Sequence, residues 1–316
     1  MDADVASSVF VIDMEDGGKI LSRIDLEDVN DAGLETNLVK NSVPAQLIPI
    51  TADGTSLATY YGALVYFADY EGKLWKLNLS SNGDLYEAHT LFDSGATPDN
   101  GRRNFFKISA SVDEDTGKVW LYYGTGDQRN LASASESIQN KVYGIKDADF
   151  PETDITRVSV TETDCADITG LTTCIVGSNE TGWFANLDDN EKVTAAPSVK
   201  SGIVYFSRYV PNVENPCTPG TAYQSRHDYQ VGCAQGSVPE GQETAKIELG
   251  KGVATEAIFY KGKMYMGLSG AVEGDGTLDD LEGFSLMDNI IVGTPQAGTG
   301  SGSTSAPKIN WWREIF

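Results

Sequence analysis

A chain of 316 residues with 40% hydrophobic and 22% charged residues can bury a large core and is not a disordered polymer. No stretch approaches the ~20 consecutive apolar residues that a membrane span needs, so no span is expected. The net charge of −23 repels a phosphate backbone, which excludes nucleic acid as the expected partner and favours divalent cations and basic protein surfaces.

The chain opens on Met1-Asp2-Ala3-Asp4, which lacks the basic and apolar regions of a signal peptide; an exported form would carry its signal elsewhere. Ser8 to Leu26 then reads strand, turn, strand, with Val9-Phe10-Val11-Ile12 alternating before the Asp13–Gly18 turn. Residues 27–45 are polar and acidic. From Gln46 to about Phe92 a second unit holds the strands Leu64–Ala68 and Lys73–Leu79, joined by Asp69-Tyr70-Glu71-Gly72. A third, Phe105 to about Val160, runs Phe106–Val112, the turn Asp113–Gly117, Lys118–Tyr123, the break Gly124-Thr125-Gly126, a polar stretch 127–140 compatible with a brief helix, and Val142–Ile145.

Residues 161–181 read as an insertion. A fourth unit starts at Gly182, with Trp183–Leu187 as a strand, the turn Asp188-Asp189-Asn190, and a strand from Ile203 ended by Tyr209-Val210-Pro211. A second insertion is expected over 212–243. The fifth unit starts near Val253 and holds Glu256–Tyr260, the turn Lys261-Gly262 and Lys263–Leu268. An acidic glycine-rich loop covers Glu273–Glu282, and a Gly/Ser/Thr-rich segment covers 294–306. The closing Ile309-Asn310-Trp311-Trp312-Arg313-Glu314-Ile315-Phe316 is too apolar for a free terminus and is expected to pair with a sheet or an interface.

The runs at Val9, Leu64, Val119, Ile203 and Met264 are copies of one pattern, spaced about 55, 55, 85 and 60 residues apart, and such self-similarity marks a repeat architecture. The expected class is all-β, a β-propeller of about five recognisable blade units forming a single domain over 1–316, with the insertions at 161–181 and 212–243.

Candidate chemistry is sparse. Cys165 with Cys174 and Cys217 with Cys233 each close a short loop, which points to disulfides and an oxidising compartment. Only His89 and His227 could titrate near neutrality as histidines, and His227 next to Asp228 reads as a surface contact rather than a dyad. Gly124 and Gly126 could cradle an anion, but a turn at a sheet edge is the plainer reading. Asp275, Asp279, Asp280 and Glu282 beside Gly274 and Gly276 form the best calcium candidate; Asp13, Glu15 and Asp16, and Asp113, Glu114 and Asp115, read as ordinary turns.

Several segments together resemble the C-terminal propeller domain of PilY-type proteins, tip-associated assembly factors and adhesins of type IV pili. They are Val65–Leu77 with its Lys73-Leu74-Trp75; Trp120–Asp127 with the later Val142-Tyr143-Gly144-Ile145-Lys146-Asp147; and Gly182-Trp183, Glu191-Lys192-Val193, Pro197, Val204–Pro211, Cys217 and Pro219-Gly220-Thr221. Trp312-Arg313-Glu314 closes the series. The family's Asp-rich calcium loop falls here on Ile50–Tyr60, where Asp53 is the one remnant ligand. The family propeller has about seven blades, so this chain would be an incomplete or modified ring, completed by upstream sequence or by another chain.

The resemblance implies a non-enzymatic protein at the cell surface, exported through the periplasm to the pilus tip. Its implied partners are pilins or minor pilins and a host or abiotic surface, and Ca²⁺ is the one cofactor to weigh. The cysteine loops and the 273–282 loop, with Tyr209, Tyr223, Tyr229 and Asp228, are the expected display elements. A quinoprotein-like propeller dehydrogenase and a propeller scaffold for protein–protein contacts are the alternatives.

Overall fold

The structure, a computed structural model, describes residues 7–29, 35–38, 42–51, 61–97, 99–113, 116–135, 137–153, 161–162, 181–215, 217–230, 232, 246–270, 284–287 and 289–295. Among these the strands form six sheets. Strands β1 (Ser8–Asp13) and β2 (Lys19–Asp25) pair as a hairpin, as do the short β3 (Glu27–Val29) and β4 (Glu35–Leu38). Strands β5 (Ile48–Thr51), β6 (Gly62–Ala68), β7 (Lys73–Ser80) and β8 (Ala88–Asp93) form an antiparallel meander.

The next sheet holds β9 (Ser109–Val112), β10 (Val119–Gly124), β11 (Lys141–Asp147), β12 (Thr161–Glu162) and β13 (Gly182–Asn186), in the order β12-β13-β11-β10-β9. In the following one, β14 (Lys192–Val193) and β15 (Ser198–Lys200) both pair with β16 (Ile203–Val210), which continues to β17 (Thr221–Asp228) and β18 (Lys246–Lys251). The last contains β19 (Ile258–Tyr260), β20 (Lys263–Gly267), β21 (Phe284–Met287) and β22 (Ile290–Gly293), ordered β19-β20-β22-β21. The class is all-β, and the sheets are antiparallel except where β12 runs parallel to β13.

Alternation within the strands explains how the sheets stack. In β6 and β7, Val65, Phe67, Trp75 and Leu77 face one way and pack with Ile24 and Leu26 of the first hairpin. Leu64, Tyr66 and Leu74 face the other way and pack with Leu121, Tyr123 and Tyr143 of the next sheet. That sheet turns Trp120, Tyr122 and Trp183 onward to Val204 and Phe206, while Ile203 and Tyr205 face Met264 and Met266 of the last sheet. Side chains at i and i+1 thus serve two different neighbours, so successive sheets lie face to face in chain order. These runs are apolar at nearly every position because both faces are buried. Serine hydroxyls tie neighbouring sheets together: Ser198 Oγ donates to Ala257 O at 2.7 Å and Ser207 Oγ to Thr255 O at 2.6 Å.

One buried ion pair also bridges sheets. Lys76 Nζ lies 2.8 Å from Asp147 Oδ2, both side chains being essentially inaccessible. Tyr66 Oη donates to the same oxygen at 2.7 Å, and the Asp149 and Phe150 amides donate to Oδ1 at 3.1 Å each. With its lone pairs satisfied the pair is tolerable; removing one partner from such a site costs about 3–5 kcal/mol.

The structure differs from the sequence expectations in two places. Residues 212–243 are not one excursion, because β17 runs through them and pairs with β16 from Ile203↔Asp228 to Val210↔Thr221. The Gly182–Asn186 strand does not open a new unit. It pairs with β11 and belongs to the preceding sheet, so that unit extends at least to Asn186. The brief helix expected within 127–140 is present as a single 3-10 turn, Gln128–Asn130, capped by Asp127, whose carboxylate accepts from the Arg129 amide. No long apolar helix occurs among the described residues.

Candidate functional site

Tyr70, in the turn after β6, organises a cluster contributed by three loops. Its backbone oxygen accepts from the Asn104 amide at 3.1 Å, and Arg103 O accepts from the Gly126 amide at 2.7 Å. These bonds bring the loop before β9 and the loop after β10 against the β6–β7 turn. The Arg103 and Arg129 guanidinium carbons then lie 5.0 and 4.8 Å from the centre of the Tyr70 ring. Phe105 meets the same ring edge-on at 5.2 Å. Arg129 hydrogen-bonds Tyr70 Oη and lies 3.3 Å from Asp127 Oδ2, while Arg103 is 3.8 Å from Glu71. Partial burial of the phenol raises its pKa, with Asp127 adding to the effect.

The base of the cluster is held by buried hydrogen bonds. Asp69 is fully buried and accepts from the Lys73 amide at 3.0 Å and from Trp75 Nε1 at 3.1 Å. Burial pushes its carboxyl up to about 6 against those two hydrogen bonds. Tyr123 Oη donates to Gly72 O at 2.8 Å. A polar chain continues sideways: Asn140 accepts from the Arg102 amide at 3.1 Å and donates to Glu191 O at 2.8 Å. The buried Glu191 carboxylate is paired with Arg208. Lys192 donates to the carbonyls of Leu131, Ser133 and Asn190 at 3.1, 2.7 and 3.3 Å, and burial pulls it down to about 8.

This arrangement offers stacking, guanidinium hydrogen bonds and a fixed aromatic face. Tyr and Arg in such a setting are the residue types that dominate protein interfaces. Arg129 is 67% exposed on its side chain and so available to a partner.

The residues singled out by sequence fall differently. Asp53, Asp275, Asp279, Asp280, Glu282, Cys165, Cys174 and Cys233 lie outside the described residues. Cys217 is exposed and forms no bridge among the described residues; its expected partner Cys233 is not among them, so both bridges stand as expectations of the sequence. Among the described residues no group of three or more His, Cys, Asp or Glu is placed to hold a metal. Asp13 caps its own turn, accepting from the Glu15 and Asp16 amides.

Gly124 and Gly126 are not an anion cradle. A Cβ on Gly124 would stand 2.4 Å from Val193, and one on Gly126 2.7 Å from Lys192 Cβ, so the glycines admit the 192–193 strand. Tyr209 and Asp228 are buried, and Tyr223 is half-buried under Lys246. Tyr229 is half-buried, and its carbonyl accepts from Tyr122 Oη and Trp183 Nε1. These display candidates are therefore parts of the packing.

His227 is buried too, stacked on Trp183 at 5.7 Å, with Nδ1 donating to Gly232 O at 2.8 Å. Burial holds it neutral, down to about 4. The cluster itself was not singled out by sequence; the Arg102-Arg103-Asn104-Phe105-Phe106 run was the signal available. No protein-family model matches the chain, and no curated protein matches it.

Proposed function

We propose that the chain is a propeller of PilY type, an incomplete or modified ring of radially stacked sheets. It works without catalysis at the tip of a type IV pilus, aiding pilus assembly and contact with a partner or surface. The observation that carries this reading is that the motifs behind the resemblance pack on one another. Asp147, closing the Tyr143-Gly144-Ile145 motif, pairs with Lys76 in the Trp75 segment. Gly144 lies flat against the indole of Trp183 from the Gly-Trp motif, where a Cβ would come within 2.4 Å of the ring. Glu191, Lys192 and Val193 each meet a partner described above, and Tyr209 Oη accepts from the Gly220 amide at 3.0 Å. Residues distant in sequence thus act as one set, which is what a shared fold requires of shared motifs.

Stacked sheets that bury both faces are the blade arrangement of a propeller, and propellers present loops for recognition. On this reading the Tyr70–Arg103–Arg129 cluster is the contact face. The test is a pull-down of the full chain with sheared cell-surface fractions of a piliated bacterium. Minor pilins should co-purify, and the Tyr70→Ala and Arg129→Ala variants should each weaken capture about tenfold, the effect of removing one interface hot spot. Absence of every pilus component would overturn the reading, and a quinone chromophore in the purified protein would favour the dehydrogenase.

A further inference from the structure

The neighbours Arg102 and Arg103 use their guanidiniums differently. Arg102 Nη1 donates to Ser94 O at 3.0 Å and its Nε to Gln139 O at 3.4 Å, so this side chain ties loops together. Arg103 stacks on Tyr70 with only 16% of its side chain exposed, yet among the described residues its N–H groups have no hydrogen-bond acceptor. Its ion-pair partner Glu71 stands 3.8 Å away, beyond hydrogen-bond reach. Arg129 commits Nε and Nη2 to Asp127 and Tyr70 Oη, which leaves Nη1 unused. The Tyr70 phenol accepts from Arg129, and partial burial with Asp127 nearby holds its pKa up, so it keeps a proton to donate. The uncommitted groups of Arg103, Arg129 and Tyr70 are therefore all donors, on a chain whose net charge is −23.

We propose that this cluster binds a carboxylate carried beside an apolar side chain, from a peptide acid or chain end of a partner protein, with Arg103 and Arg129 as its donors. Planar guanidiniums bind carboxylates through paired, charge-assisted hydrogen bonds. Tyr70, with Phe105 edge-on at 5.2 Å, supplies aromatic surface for the neighbouring side chain. A carboxylate is favoured over a phosphate dianion because Glu71 and Asp127 stand 3.8 and 3.3 Å from the two guanidiniums and offset much of their charge. Arg103 is already held against the ring, so little ordering is left for binding to impose on it. The inference rests on the reading of this cluster as the contact face, and not on which protein the partner is.

The test is titration of the full chain with four probes: N-acetylphenylalanine, N-acetylaspartic acid α-amide, the uncharged N-acetylphenylalanine amide and inorganic phosphate. The Nε–H resonances of Arg103 and Arg129 are followed by NMR. Both acids should shift both resonances saturably, and the tighter one shows whether a chain end or a side chain is the preferred source. The uncharged amide and phosphate should bind at least about tenfold more weakly, the effect of losing one charge-assisted hydrogen bond. Arg129→Gln, at an exposed position, should weaken the acids by about the same factor. Glu71→Gln removes the competing carboxylate and should tighten them about threefold, a gain that a purely structural role for Arg103 would not produce. Amide or phosphate binding as tightly as the acids, or shifts absent from either arginine, would overturn the inference. No pilus component enters the titration, so acids that bind while the pull-down yields no pilin would support this inference and sink the pilus reading alone.

Discussion

Asp69 and His227 are both buried, and in both the folded state favours the neutral form, but their pH effects run in opposite directions. Asp69 is raised from 3.8 to about 6, so between these values the folded chain holds the proton that the unfolded chain has lost. Its contribution to stability is present below pH 4 and is lost as pH rises to about 6, an effect of about 3 kcal/mol. His227 is lowered from 6.5 to about 4, so over that interval the unfolded chain holds the extra proton. Its contribution is present above pH 6.5 and is lost as pH falls towards 4, again by about 3 kcal/mol. The two slopes largely cancel in the native protein. Asp69→Asn should unmask stability that rises with pH between 4 and 6.5, and His227→Gln stability that falls over the same range. Urea midpoints measured at half-unit pH steps would show this; parallel profiles for the native chain and both variants would contradict it. Little of this was legible in the sequence. His227 sits in a polar run and reads as surface, because nothing local shows that Trp183 and Phe206 will enclose it.

At the scale of elements, strands with alternating β-branched and aromatic residues were readable: β6, β10, β16 and β20 stand where the pattern puts them. β17 was not, because Thr-Ala-Tyr-Gln-Ser-Arg-His-Asp has no apolar periodicity. It is buried through polar pairing instead. Gln224 Nε2 donates to Met266 Sδ at 2.7 Å, and Arg226 Nε donates to Gln224 Oε1 at 3.0 Å. A long-range partner decides such a strand, and a hydropathy pattern does not carry that information. The candidate site was hidden for the same reason, since Tyr70, Arg103 and Arg129 come from three loops and meet only through backbone bonds between them. Lys192 is the element that fixes the third of these loops, by holding the Leu131 and Ser133 carbonyls. Lys192→Met keeps the stem but drops all three hydrogen bonds. It should speed limited proteolysis within 128–135 about tenfold or more, while the sheets unfold at nearly the native urea concentration. Unchanged cleavage there would mean that the loop is held by Gln128 and Asn190 instead.

For the whole molecule, stability should follow position in the stack rather than strand length or local hydropathy. The sheets from β5 to β18 have apolar partners on both sides, whereas β1–β2 and β19–β22 have a described partner on one side only. Opening an inner sheet separates two packed faces; opening a terminal one separates a single face. At ~25 cal/mol per Å² of apolar surface the second face is worth several kcal/mol, more than the spread expected from strand sequence alone. Hydrogen exchange in the native state should therefore show a profile peaked in the middle. Amides of β6, β7, β10, β11 and β16 should exchange only through global unfolding, and those of β1 and β2 should exchange at least about a hundredfold faster. β1–β2 is the informative comparison, because Phe10, Ile12 and Ile20 give it as apolar a sequence as several inner strands. If its amides are as slow as those of β10 and β11, the outward face of the first hairpin has a partner after all, and the stack closes on itself. If they are fast, the open end at β1–β2 is real, and the protection of β20 and β22 reports on whether the other end is covered.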